Sequence, residues 1–181
     1  MVMNSTDESL MIAVREGSCG ELETLFDRHH LALYEFFYRM TGNRAASENL
    51  VQDVFCRILK MREAFRDDSL FKPWLFRIAR NAHHDACRKV ELAFTVKDDP
   101  DQIRAVFPVV GGIAHKDKPE TLRVALLKLP EDRRELVVFS QYQQLTAEEI
   151  AELFDMDVPA AKVSVHRAMM ELRDLYRTLS G

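Results

Sequence analysis

The amino-acid sequence predicts an all-α protein of two small helical domains joined by a linker. Three observations carry that prediction. Apolar residues recur three or four positions apart along most of the 181 residues, and no stretch shows the alternation of a half-buried strand. Capping residues precede the periodic runs: Asn43, Ser69, Thr146 and Asp157. One segment, 91–118, loses the period and gathers Pro100, Pro108, Gly111 and Gly112. It is expected to link a domain at 1–90 to a second at 119–181.

The elements follow in order. A short helix is expected over 7–16 and a longer one over 20–41, where Leu22, Leu25, Phe26, Leu33, Phe36, Phe37 and Met40 form a stripe. Gly42 suits its C-terminus. Asn43 caps the next helix, about 44–62, and "REAFRDDS" makes a polar loop. Ser69 is expected to cap a helix running through "SLFKPWLFRIARNAHHDACRK", with Pro73 in its first turns. In the linker, the apolar "AVFPVVGGI" is suited to docking on a partner. Leu122, Leu126 and Leu129 then share a face, and Pro130 opens a helix that fades at "YQQL". Thr146 and Glu149 fit a capping box. Asp157 and Pro159 open the last helix, which extends to about residue 179.

Charge is segregated. The net charge is -4, yet residues 57–90 hold 9 basic and 4 acidic side chains, and 158–181 hold 4 and 2. Two basic segments in an acidic chain suit contact with a polyanion without indiscriminate binding; the plain alternative is two solvated helix faces. No apolar run approaches the roughly 18 residues that cross a bilayer, and "MVMNSTDESL" does not resemble a secretion signal, so a cytoplasmic protein without membrane insertion is expected. Cys19, Cys56 and Cys87 are widely spaced and suggest neither a disulfide framework nor a zinc site. His83 and Cys87 are four apart, but two ligands are too few, so no metal and no cofactor is expected. No phosphate-cradling glycine motif or nucleophile elbow is present, and an enzyme is the least supported class.

Two stretches carry chemistry. "LTAEEIAELFDMDVPAAKVSVHRAMMELRDLY" has the layout of a helix-turn-helix, whose second helix enters the DNA major groove. Lys162, Ser164, His166 and Arg167 lie in its first turns. Helix pairs of this kind also occur in all-α proteins that bind no DNA. In the helix opened by Ser69, Trp74, Leu75, Ile78, Ala79, Ala82 and Ala86 line one side, and Arg77, Arg80, Asn81, His84 and Arg88 the other. Asn and Arg reach bases and phosphates. Trp74 reads as core. Phe65 beside Arg66 fits either the core or an unstacked base.

Two blocks together resemble the extracytoplasmic-function sigma factors, small alternative sigma subunits of bacterial RNA polymerase in the sigma-70 family. "ASENLVQDVFCRILK" with "FRDDSLFKPWLFRIARNAHHDACRK" is similar to region two, and "LLKLPEDRRELVVFSQYQQLTAEEIAELFDMDVPAAKVSVHRAMMELR" to region four. The resemblance spans about 20–90 and 119–177. It implies that Glu48, Gln52, Asp53 and Phe55 meet the clamp coiled coil of core RNA polymerase. Phe65, Arg66, Asp67 and Asp68 would capture a flipped base of the minus-ten element, an extrusion that costs a few kcal/mol. Arg77, Arg80, Asn81, His84 and Arg88 would hold that element's upstream edge. Lys162, Ser164, His166 and Arg167 would read the minus-thirty-five element. An anti-sigma factor is the implied controlling partner.

One departure stands out. The family commonly has Arg where this chain has Ser164, and a Thr-Val pair where it has Ala160-Ala161. A missing Arg removes a strong phosphate or guanine contact and puts upstream recognition in question. Two rival readings are a sigma mimic that only engages an anti-sigma factor, and a helix-turn-helix regulator that binds duplex DNA alone.

Overall fold

A computed structural model describes residues 5–94 and 118–181. These residues form eight α-helices and no strand. Helices α1 (Asp7–Arg15), α2 (Gly20–Thr41), α3 (Arg44–Met61) and α4 (Phe71–Phe94) make the first unit. Helices α5 (Lys118–Lys128), α6 (Glu131–Val137), α7 (Ala147–Leu153) and α8 (Val158–Ser180) make the second. The expected linker thus loses four residues to α4, and the docking segment "AVFPVVGGI" lies outside the described residues.

Local chemistry sets most boundaries. Gly42 ends α2 at φ 67°, its N–H donating to the Tyr38 carbonyl over 2.8 Å. Asn43 Oδ1 accepts from the Ala46 N–H at 3.0 Å and opens α3. Thr146 and Glu149 make the reciprocal capping box of α7. Asp157 Oδ1 accepts from the Ala160 N–H at 2.7 Å and opens α8. Helix α3 tightens into a 3₁₀ turn at Arg62–Ala64, and α6 widens into a π turn at Val138–Tyr142.

Ser69 is not a cap. Helix α4 begins at Phe71, and the Phe71 N–H donates to Glu8 Oε1 of α1 at 3.0 Å. A carboxylate from another helix satisfies an orphan donor at the positive helix end, a partner that local sequence cannot reveal.

The first unit packs around Met11, Leu25, Leu33, Phe36, Phe37, Ile58, Phe71 and Phe76, all buried. Trp74 is partly buried against this core, as expected. The second unit closes directly onto the first. Phe139, from the π turn, stacks on Phe36 at 4.9 Å and meets Phe76 edge-on at 5.6 Å. Arg134 of α6 donates to the carbonyls of Leu126, Leu127 and Leu129 and, across the interface, to that of Met40. Lys72 donates to the Gln143 carbonyl at 2.6 Å, and Gln143 Nε2 donates to the Ala32 carbonyl at 3.1 Å. Gly42 lies under Leu127: a Cβ on Gly42 would stand 3.0 Å from Leu127 Cδ1.

Candidate nucleic-acid interface

The polar side of α4 is divided. Asn81 and Arg88 are exposed. Arg77, Arg80 and His84 instead meet the second unit. Arg77 donates to the Glu152 carbonyl at 3.1 Å, with the Glu152 carboxylate 3.7 Å away. Arg80 Nε donates to Glu135 Oε2 at 2.8 Å, and its guanidinium lies over the Phe154 ring at 4.3 Å. His84 Nε2 stands 2.6 Å from Glu135 Oε1. That hydrogen bond raises the His84 pKa above its ordinary value, against the opposing effect of burial. The Glu135 side chain is only 1% exposed, so α6 brings a desolvated carboxylate to the cations of α4.

The loop before α4 also divides. Arg66, Asp67 and Asp68 are exposed; Arg66 and Asp68 approach to 3.2 Å, and Asp67 pairs with Arg15 at 2.7 Å. Phe65 is core: it is 1% exposed, with its ring against Trp74 at 5.1 Å and Phe71 at 6.2 Å. Arg15 donates to its carbonyl at 2.8 Å. The expectation that Phe65 offers its ring to a base is corrected. The loop turns its polar residues outward and its one aromatic inward, where burying a phenyl ring is favourable.

On the expected polymerase face, Glu48 and Gln52 are exposed, and Asp53 is half-buried and paired with Arg57 at 2.9 Å. Arg57 also reaches Asp85 of α4 at 2.7 Å, a hydrogen bond that holds the Asp85 carboxyl below its ordinary range. Phe55 is buried, at 7% exposed. It lies on the inner stripe of α3 with Leu50, Val51, Val54 and Ile58, and packs on Phe26 at 4.9 Å. The exposed aromatic of this face is Phe26, with the His30 ring stacked on it at 4.9 Å.

Helices α7 and α8, joined by the turn 154–157, form the expected helix pair. Lys162, His166 and Arg167 are exposed at the start of α8, while Ser164 is half-buried rather than fully solvated. Ala161, Ala168 and Leu172 pack inward.

Sequence reasoning missed Glu131, Arg134 and Glu135. A signal for them existed. Glu131 and Glu135 stand i, i+4 on one helix, as Arg80 and His84 do on another, so each helix presents a ladder of one sign.

A basic-faced helical module followed by a helix-turn-helix module defines a two-part DNA-recognition protein. The sequence profile of Sigma-70 region 2 matches residues 25–91, and that of Sigma-70 region 4 matches 120–172. The chain is 32% identical over 167 residues to the RNA polymerase sigma factor CarQ of Myxococcus xanthus, covering 89% of this chain and 92% of that relative. It is 26% identical over 176 residues to the sigma factor SigW of Bacillus subtilis, covering 92% and 94%. The chain belongs to the sigma-70 family, among its extracytoplasmic-function sigma factors. Its fold is similar to that of CnrH, solved with the cytosolic domain of CnrY (TM-score 0.71, 22% identity, 95% of this chain and 97% of that one). It is also similar to the sigma factor RpoE of Bartonella quintana, solved with the anti-sigma factor NepR (TM-score 0.68, 21% identity, 86% and 96%). No helix among the described residues is long and apolar enough to cross a membrane.

Proposed function

We propose that this sigma factor works as a dissociable promoter-specificity subunit in the cytoplasm and performs no chemistry itself. It binds core RNA polymerase through the α2–α3 face, with Glu48, Gln52 and Asp53 on α3 and exposed Phe26 on α2. Its first domain spans 1–90 and its second 119–181, with a linker between. Arg66, Asp67 and Asp68, with Arg77, Arg80, Asn81, His84 and Arg88, engage the minus-ten DNA. Lys162, Ser164, His166 and Arg167 engage the upstream element. An anti-sigma factor controls it, as NepR accompanies the RpoE relative of similar fold.

One observation carries this reading. The cationic side of α4 already holds carboxylate oxygens, Glu135 Oε2 at 2.8 Å from Arg80 and Oε1 at 2.6 Å from His84. These side chains are spaced to grip an oxyanion, and a DNA phosphate is the ligand of that chemistry in this family. DNA can reach them only after the second unit moves off α4, a movement that docking on polymerase would favour.

The test is transcription from pooled genomic fragments by core polymerase, with and without the protein. Protein-dependent transcripts sharing a start-proximal and an upstream motif are expected. Asn81→Ala should reduce promoter opening with little effect on fold, because Asn81 is exposed. No protein-dependent transcript, together with no binding to core, would overturn the reading in favour of an anti-sigma decoy.

A further inference from the structure

Where α4 packs on α6, four side chains converge. His83 and His84 come from the first unit, Glu131 and Glu135 from the second, and one ligand atom of each lies within 4.8 Å of the other three. His83 Nδ1 stands 3.1 Å from Glu131 Oε1. His84 Nε2 stands 3.6 Å from the same oxygen and 2.6 Å from Glu135 Oε1. A tetrahedral zinc ion with bonds of about 2.0–2.2 Å holds its N and O ligands roughly 3.3 Å apart. The observed separations straddle that value.

The imidazole of His83 gives the second, independent sign. His83 is 2% exposed, and its Nδ1 is buried without a hydrogen bond. Its approach to Glu131 has ion-pair distance but not hydrogen-bond angles, so the contact is electrostatic. A buried ring nitrogen with a carboxylate but no well-formed hydrogen bond beside it can give its lone pair to a cation that the same carboxylate also binds. The surroundings suit such a bond. Cys87 Sγ borders the cluster, 3.7 Å from His83 Nε2 and 4.0 Å from Glu131 Oε1. Arg80 holds Glu135 Oε2 at 2.8 Å, which leaves Oε1 turned to the cluster. Two neutral imidazoles and two carboxylates balance a divalent charge.

We infer that His83, His84, Glu131 and Glu135 form a binding site for a divalent transition-metal ion of the zinc class, bridging the two units. Mixed imidazole and carboxylate donors select zinc and its neighbours over calcium or magnesium. With the ion in place, α4 and α6 are tied together and His84 is withheld from DNA. The site shares His84 with the promoter contacts proposed above, but binding of the ion does not depend on that reading.

The ion itself is the probe. The full chain, stripped with chelator and desalted, is titrated with Zn²⁺ against a chromophoric chelator. One equivalent per chain is expected to bind. Co²⁺ in its place is expected to give visible d–d absorption of tetrahedral strength without an intense thiolate band. Glu131→Gln and His84→Gln should each weaken binding by at least about tenfold. Both positions are part-exposed, at 45% and 36%, so these variants are expected to keep the parent's circular dichroism without metal. Cys19→Ser and Cys56→Ser should change nothing. No saturable equivalent, binding unmoved by both cluster variants, or binding lost in the cysteine variants would each overturn the site.

Discussion

On α4, Arg77, Arg80 and His84 meet oxygens of α6 and α7; on α8, Lys162, His166 and Arg167 are exposed. The two faces proposed for DNA thus differ in access. The first is covered in part, at Arg80 and His84, while Asn81 and Arg88 stay exposed, and the cover is chemically matched to it: acids against cations, and Phe139 against Phe36 and Phe76. The second needs no rearrangement of the chain to be reached. The contrast implies an order of events, in which the upstream element can be met by the closed protein and Arg80 and His84 can meet DNA only in the opened one.

The largest expected effect comes from breaking the cover. Phe139 is fully buried among Phe36, Phe76 and Phe154. Phe139→Ala should cost about 3–5 kcal/mol in denaturant unfolding and separate the two units. Unchanged stability would mean that the aromatic cluster does not hold the closed form.

Glu135→Gln sharpens the comparison with less damage. It keeps shape but removes the charge that faces Arg80 and His84. Loss of these charge-assisted bonds should weaken closure by about 2 kcal/mol. Binding of single-stranded minus-ten DNA, read by fluorescence anisotropy, should rise while upstream binding stays constant. Equal rises at both elements would remove the distinction between covered and open faces.

The smallest effect concerns the open face. Ser164→Arg should strengthen holoenzyme binding to the upstream element by roughly tenfold and steepen its salt dependence by about one phosphate contact. No change in either would show that this position does not approach DNA.

Much of this architecture was legible in the sequence, for reasons that mark where legibility stops. Asn43, Thr146 and Asp157 cap helices within three residues of themselves, so local chemistry betrays them. Ser69 fails because its role passes to Glu8, which α1 delivers from 63 residues away. The burial of Phe65 and Phe55 is illegible for a related reason: periodicity does not say how deep a ring sits beneath a loop or at a stripe's edge. The expectation of no metal weighs only residues close in sequence or the spacing of the cysteines, whereas the residues proposed to complete a site, Glu131 and Glu135, lie on another helix. Residues joined only by tertiary packing leave no short-range signature.

The ring cluster of Phe36, Phe76 and Phe139 gives the closed state a temperature coefficient. Its apolar contacts lose strength on cooling, and the desolvation cost of the ion pairs beside it falls on warming. Both trends act in one direction. Cold should loosen the second unit from α4, and moderate warmth should seat it, a slope measurable by energy transfer between dyes on the two units.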